Sequence, residues 1–380
     1  MTPERPRRAD ALPVAELDDG LVPLAVEPSV RVEPQSVPLY AALDLGTNSC
    51  RMLIAQPRGS QFDVVDSFSK TVQLGVGLEA SGRLSRASMT RTIQALRICQ
   101  KKLESHGVAR MRLVATEACR RARNARDFIR QVRRETGLSL EVIQPEEEAR
   151  LAVISCAPLV EGTTEQLLVV DIGGGSTELV WIDLSAVAPE NRPRAIMQLR
   201  TGFGNQGDGA VARVVDWISV PLGVATLKDQ YIDVEDDAAR FALMSWYFEE
   251  HLANFSPYNA DAPRQGFQII GTSGTITTVA ASFLGLRRYD RSKVDGLRMT
   301  SAQIDFVIRD YLALGPEGRR ADPRIGRDRH SLIMSGAAIL QALMRIWPTD
   351  WLSVADRGLR EGLLYAQMSA DDVLDDGPYR

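Results

Sequence analysis

Leu168 to Trp181 reads LVVDIGGGSTELVW, and Ala41 to Ile54 reads AALDLGTNSCRMLI. Aligned without a gap, the two stretches set Asp44 against Asp171, Gly46 against Gly173 and Ser49 against Ser176, and a constant offset of this kind marks an internal repeat. Each copy is an apolar run ending at an aspartate, a turn of glycine and hydroxyl residues, and a second apolar run, the pattern of a β-hairpin. Two copies, each opening its own α/β layer, predict two similar domains that face each other with the two turns across a cleft.

Working outward, Phe62 to Phe68 reads as a third strand, and Ser85 caps a long helix whose Met89, Ile93, Leu96 and Leu103 share one face before Gly107 stops it. Met111 to Ala115 is a further strand, Thr116 to Gly137 a basic helical region, and Leu140 to Ile143 a strand. Glu146 to Ser155 reads as a helix opened by three carboxylates, which suit the positive end of the helix dipole. Beyond the second copy, strands are expected at Ile196 to Leu199 and Trp217 to Val220, and a helix from Glu235 to Asn254. The buried strand Gln268 to Ile270 runs into a third glycine turn, Gly271-Thr272-Ser273-Gly274-Thr275, and a helix from Ile276. Amphipathic helices at Ser301 to Leu312, Ser331 to Ile346 and Leu359 to Gln367 complete the pattern, with a strand at Trp351 to Val354. The expected organisation is a disordered tail over 1–38, one domain over 39–164 and a second over 165–380 whose last helix returns to the first.

The 380 residues suffice for two cores, and 44% hydrophobic residues, 25% charged residues and a net charge of −4 describe a soluble globular chain with no general pull on nucleic acid. Four dispersed cysteines exclude a disulfide framework and fit a reducing cytosol. Cys119, beside Arg120, reads as a small core residue. His106, His251 and His330 stand at no metal-ligand spacing, so a metal here takes oxygen ligands. No apolar stretch is long enough to span a membrane.

Glycines and hydroxyls packed between two strands leave amides pointing at one place, and such concave arrays bind phosphate. Asp171 to Thr177 is such a turn. Asp44 and Asp171 end their strands beside the two turns, where a hard cation bridging protein and phosphate would find its oxygen ligands.

The order DLGTNS, DIGGGSTELV and GTSGT resembles the actin, Hsp70 and sugar-kinase superfold, and the wording of the motifs resembles the exopolyphosphatase and guanosine pentaphosphate phosphohydrolase family. Ala115-Thr116-Glu117-Ala118-Cys119-Arg120 with Asn124, the segment Glu147-Glu148-Ala149-Arg150, and Leu359-Arg360-Glu361-Gly362 extend the likeness from Ala41 to Tyr365. The resemblance implies two ribonuclease-H-like domains flanking a cleft. It places the catalytic glutamate that deprotonates water on Glu148, with Glu147 as the fallback. It places catalytic and metal-linked acids on Asp171 and Glu178, a further metal ligand on Asp44, and a phosphate-contacting arginine on Arg120. Thr47, Asn48, Ser49, Gly173, Gly174, Gly175, Ser176, Thr177 and Gly274 would hold phosphate.

The implied activity is release of terminal orthophosphate from inorganic polyphosphate with Mg2+, with guanosine pentaphosphate 5′-hydrolysis as the alternative. Mn2+ in place of Mg2+, a K+ requirement, regulation by guanosine tetraphosphate and homodimerisation come with the resemblance as properties to test. Neither nucleic acid nor a membrane is expected as a partner, and the cytoplasm is the expected location. Long members add a C-terminal helical domain, and this chain resembles the short, two-domain type. It departs from many members at Gln73 and Val76, where they carry a basic and an acidic or polar residue. The run Arg120, Arg121, Arg123, Arg126, Arg130, Arg133 and Arg134 favours a polyanion. An actin-like ATPase or sugar kinase would share the phosphate turns without needing Glu148, and a non-catalytic alarmone or polyphosphate sensor would need none of the acids.

Overall fold

The computed structural model describes residues 37–108, 110–200, 203, 212–259, 266–326 and 329–375. All but the last two positions of the expected 1–38 tail lie outside the described residues.

Strands β1 (Tyr40–Leu45), β2 (Ser49–Arg58), β3 (Gln61–Thr71), β4 (Arg110–Ala115) and β5 (Glu141–Val142) form one sheet in the order β3-β2-β1-β4-β5. Strands β6 (Gln166–Ile172), β7 (Thr177–Asp183), β8 (Arg213–Val220), β9 (Phe267–Thr272), β10 (Arg298–Met299) and β11 (Leu352–Ala355) form a second in the order β10-β11-β9-β6-β7-β8. In each sheet the first hairpin strand runs antiparallel to the second and parallel to a later strand: β1 beside β2 and β4, β6 beside β7 and β9. The repeat in sequence is therefore a repeat in topology, and the chain is an α/β protein built on two mixed sheets.

The helices are α1 (Leu78–Ser81), α2 (Arg86–Ser105), α3 (Glu117–Arg121), α4 (Ala125–Thr136), α5 (Pro145–Cys156), α6 (Arg192–Met197), α7 (Val224–Gln230), α8 (Asp237–Glu250), α9 (Gly274–Phe283), α10 (Arg291–Val294), α11 (Ser301–Ala321), α12 (Ile333–Ile346) and α13 (Leu359–Ala370). Strand alternation decides which of them each sheet face meets. From β1, Ala41, Leu43 and Leu45 enter a core with α2 and α4, while Tyr40 and Ala42 enter one with α5 and α13. From β6, Leu168, Val170 and Ile172 face α8, α9, α11 and α12, while Leu167 and Val169 face α5.

Helix α5 is thus shared. Leu151 packs with the first sheet, and Ala149 and Val153 pack with the second. It crosses α13 where Gly362 lies against the Leu151 carbonyl, closer than any side chain at 362 would permit.

Two expectations are corrected. Ile196 to Leu199 is not a strand. Arg192–Met197 is helix α6, with Pro193 in its first turn, and it buries Ile196 and Met197 against the second sheet, whose edge place β8 already fills. A short apolar run has no period of its own to distinguish the two. Helix α12 is also not amphipathic. Packed against α7, α8 and α9, it buries Ile333 to Leu340 without interruption.

Candidate active site

The two hairpin turns are built alike. The Gly46 amide donates to the Ser49 carbonyl at 3.0 Å, and the Gly173 amide donates to the Ser176 carbonyl at 2.9 Å. Closing each turn in this way leaves the amides of Thr47, Asn48, Gly174, Gly175 and Ser176 with no acceptor among the described residues. The Thr47 Oγ1 is also buried without a partner. Polar groups of this kind are costly unless water or a ligand satisfies them, and here they face the cavity together. The turns meet closely: a Cβ on Gly174 would lie 3.5 Å from that of Asn48, and one on Gly175 would lie 2.5 Å from Thr47 Oγ1. Only glycine fits at 175.

A cavity of about 270 Å³ opens between them, lined by both turns, by the third turn Thr272 to Thr275, and by Glu148, Asp44 and Asp171. Of the three carboxylates opening α5, Glu148 alone lines it. Glu146 accepts the Phe203 amide at 2.7 Å, and Glu147 is paired with Arg112 at 2.8 Å and Arg150 at 2.7 Å. Burial would raise the Glu147 carboxyl, but the hydrogen bonds from Arg150 and Arg112 outweigh it and hold the group below its usual range.

The cleft acids behave oppositely. Burial first, then the charge of Glu178, pushes Glu148 up to about 8, against the pull of Arg120. Burial, with Glu148 and Asp44 adding repulsion, takes Asp171 to about 7. Burial and Asp171 take Glu178 to about 7, despite hydrogen bonds from Ser176 and Ser219. Burial also raises Asp44, which Arg51 and Arg360 partly offset. Glu178 is buried and the other three are part-buried on the cavity wall, and for all four desolvation outweighs the pull of Arg51, Arg120 and Arg360.

Several expected residues take other places. Thr177 points away from the cleft and donates to the Leu222 carbonyl at 2.8 Å, tying β7 to the loop before α7. Arg120 does not line the cavity. Its guanidinium donates to Glu117 at 2.8 Å, Glu148 at 2.6 Å and the Ile143 carbonyl at 3.0 Å, so it orients the two carboxylates. Glu178 lies one layer behind the lining residues, its Oε1 accepting from Ser219 at 2.8 Å. Gly274 lines the cavity, with its carbonyl taken by Arg329 at 2.8 Å. Cys119 is buried, and burial pushes its thiol up to about 12. Among the described residues no three His, Cys, Asp or Glu side chains are arranged to hold a metal ion.

The cavity also contains what the sequence reading passed over. Arg51 stands beside Asp44 across the β1–β2 ladder and faces Arg360 and Arg329; burial and those two like charges pull its guanidinium below the usual range. Arg51 on β2, Arg329 in the turn before α12 and Arg360 on α13 all line the cavity. The repeat held a signal for Arg51, since the constant offset pairs it with Glu178, but nothing local singles out Arg329. Ser273 adopts φ 94°, a region that disfavours side chains, and its hydroxyl donates to the Ile172 carbonyl at 2.6 Å. This strained residue locks the third turn to the end of β6.

A model of the Ppx/GppA phosphatase family matches residues 53–371. Among solved structures, the Ppx/GppA family member of Aquifex aeolicus is 30% identical, covers 88% of this chain and 99% of its own, and superposes with a TM-score of 0.69. An exopolyphosphatase-like protein is 25% identical over 87% of this chain and 99% of its own, with a TM-score of 0.72. An exopolyphosphatase from Cytophaga hutchinsonii shares the fold at 22% identity over 88% of this chain and 98% of its own, with a TM-score of 0.72.

Proposed function

The chain belongs to the Ppx/GppA phosphatase family, and on that premise we propose that it is an exopolyphosphatase that releases terminal orthophosphate from inorganic polyphosphate by Mg2+-assisted attack of water. The observation that carries the proposal is the pair of facing turns whose amides and Thr47 hydroxyl lack partners, with the Glu148 carboxylate on the same cavity wall.

Hydrolysis of a phosphoanhydride needs positioning and charge neutralisation more than covalent chemistry. The two turns would hold the non-bridging oxygens of the terminal phosphate. Glu148 would take a proton from water as the water oxygen bonds to phosphorus and the bridging bond breaks, leaving orthophosphate and a chain one unit shorter. A carboxyl raised toward neutrality suits a base working near neutral pH. Arg120, by binding Glu117 and Glu148 together, fixes the orientation of that base.

Asp44 and Asp171, backed by Glu178, would hold Mg2+, which would supply charge neutralisation at the phosphate undergoing attack. The fit rests on the chemistry of the donors: Asp44 and Asp171 present carboxylate oxygens to the cavity, desolvation raises them and so disfavours their bare charge, and magnesium takes only one or two carboxylates, filling its other positions with water and phosphate oxygens. Arg51, Arg329 and Arg360 would meet the next phosphates inward.

Polyphosphate is preferred over a guanine nucleotide because the walls of the cavity carry arginines and amides and no aromatic side chain, the one aromatic beside it among the described residues being Tyr289, hydrogen-bonded to Asp356 and Thr277 at the rim. Four free, buried cysteines suit a reducing compartment such as the cytosol. No helix among the described residues is long and apolar enough to cross a membrane.

The test is phosphate release with Mg2+ from long-chain polyphosphate, guanosine pentaphosphate and ATP in parallel, each with a Glu148→Gln control. Release from polyphosphate that the substitution abolishes supports the proposal. Preference for the pentaphosphate moves the substrate to the alarmone, and cleavage of ATP alone overturns it.

A further inference from the structure

Outside the cleft, the first sheet carries a group of cations that the mechanism does not use. Residues 82–84 are fastened to 123–124 by three hydrogen bonds. The Leu84 amide donates to Asn124 Oδ1 at 2.9 Å, Asn124 Nδ2 donates to the Leu84 carbonyl at 3.0 Å, and the Arg123 amide donates to the Gly82 carbonyl at 3.0 Å. Leu84 and Asn124 are buried, so the fastening is part of the core. It brings Arg83 and Arg86, at the start of α2, beside Arg123 and Arg126, at the start of α4. The Arg123 guanidinium itself lies over Gly82, 3.2 Å from where a side chain there would begin.

All four arginines are exposed, and none has an ion pair or a side-chain hydrogen bond among the described residues. Their neighbours show that this is not the general state of the surface. Arg121 is paired with Glu79, Arg97 with Glu135, and Arg130 with Asp127. In a chain of net charge −4, unpaired guanidiniums gathered on one edge are a segregation of charge. The exposed and likewise unpaired Arg133 and Arg134 extend the edge along α4, roughly 12 Å beyond Arg126 at 1.5 Å per residue.

The edge is continuous with the cleft wall. Thr116 and Glu117 line the cavity, Arg121 ties α3 to α1 through Glu79, and Arg123 follows two residues later. Helix α4 starts, through α3, at the end of β4 beside the end of β1, the end of the first sheet at which the cavity opens.

We infer that Arg83, Arg86, Arg123 and Arg126 form a landing surface outside the active site for the distal phosphates of long polyphosphate chains. The inference rests on the polyphosphate reading of the cleft. A chain of repeated phosphates can occupy the cleft and this edge together, and the second contact raises its effective concentration at the first. Short substrates end before they reach it. The surface therefore discriminates by length and leaves the chemical step untouched.

The experiment compares the wild type with the triple variant Arg83→Gln/Arg86→Gln/Arg126→Gln and the matching triple Lys variant. Arg123 is spared because it packs on Gly82. Phosphate release is followed with long-chain polyphosphate and with tripolyphosphate at about 50 and 200 mM salt. The Gln variant should show a KM for long chains raised about tenfold at the lower salt, an unchanged kcat, and a shallower dependence of KM on salt, since each lost cation releases fewer counterions. Its tripolyphosphate kinetics should match the wild type, and the Lys variant should behave like the wild type on both substrates. Long-chain KM within twofold of wild type in the Gln variant overturns the inference, as does an equal loss on tripolyphosphate. If the wild type cleaves guanosine pentaphosphate and no polyphosphate, the reading of the cleft has failed, and the inference with it. Variant-sensitive binding to single-stranded RNA or to anionic vesicles, without any effect on long-chain KM, assigns the surface to another partner and also overturns it.

Discussion

The turns Asp44 to Ser49 and Asp171 to Ser176 share a backbone and differ in charge. Both close with the same glycine-to-serine hydrogen bond, and both sit between one antiparallel and one parallel neighbour. Two residues past each serine, however, the first copy places Arg51 opposite Asp44 and the second places Glu178 opposite Asp171. The supports differ as well. The first turn is held from behind by the amides of Val72, Gln73 and Gly75, which donate to the carbonyls of Asn48 and Thr47, each at 2.9 Å. The second is held by Val224 at 3.0 Å and Ala225 at 2.8 Å, which donate to Gly173 and Gly174. Duplication supplied two amide cradles. Divergence at a single register position made one side cationic and the other acidic, which is the asymmetry a phosphoanhydride hydrolase needs between binding charge and handling water.

The acidic side should dominate turnover. Glu148→Gln is expected to lower kcat by about two to four orders of magnitude with KM within a few-fold, as read by steady-state phosphate release. An equal loss in KM would make Glu148 a binding group and erase the distinction between the two sides.

Glycine substitutions should separate the turns next. At Gly175 a Cβ would meet Thr47 Oγ1 at 2.5 Å and Glu117 Cγ at 3.0 Å, whereas at Gly46 the nearest atom is the Ser49 carbonyl at 3.7 Å. Gly175→Ala should therefore cost about two orders of magnitude in kcat/KM, the scale of a misplacement of about 1 Å. Gly46→Ala should stay within a few-fold. Equal effects would show that the close approach of Gly175 to Thr47 is not what the site depends on.

The support of the first turn predicts a smaller, reversible effect. A Cβ on Gly75 would collide with Thr47 Cγ2, so Gly75→Ala should lower kcat/KM about tenfold by displacing Thr47. Adding Thr47→Ser, which removes the colliding methyl and keeps the hydroxyl, should recover most of the loss. A double variant no better than the single would place the damage elsewhere.

The smallest effect is on stability. The carboxyl of Asp171 is raised from 3.8 to about 7 in the folded protein. Between those values the folded state binds more protons than the unfolded state, so this group's contribution to stability is present at low pH and is lost as pH rises through about 4 to 7. Asp171→Asn, which does not titrate, should melt close to wild type near pH 4 and higher at pH 8, by about 2–4 °C for each kcal/mol relieved, in chelator. A lower Tm at pH 8 would mean that Asp171 is balanced by a partner the acid cluster does not show.

Much of this was legible in the chain itself. The repeated hairpin, the strand periods of β1 and β6, and the glycines of the turns are local features, written in alternation and in the need for backbone without a side chain. They were enough to predict two α/β layers around a cleft and the residues that its two hairpin turns give to the walls. The α6 segment is not legible in this way, because three apolar residues in the four from Ile196 to Leu199 fit either period.

What only the tertiary structure decided is direction. Consecutive helical residues point about 100° apart, so the local pattern alone does not separate Glu146, Glu147 and Glu148; the family resemblance points to Glu148, and the packing of α5 turns that one into the cavity. The same holds for Arg120, which looks like a phosphate ligand beside the cleft yet donates to Glu117 and Glu148. Arg51, Arg329 and Arg360 meet across more than three hundred positions of chain, and no local pattern records a contact that exists only once distant elements have packed.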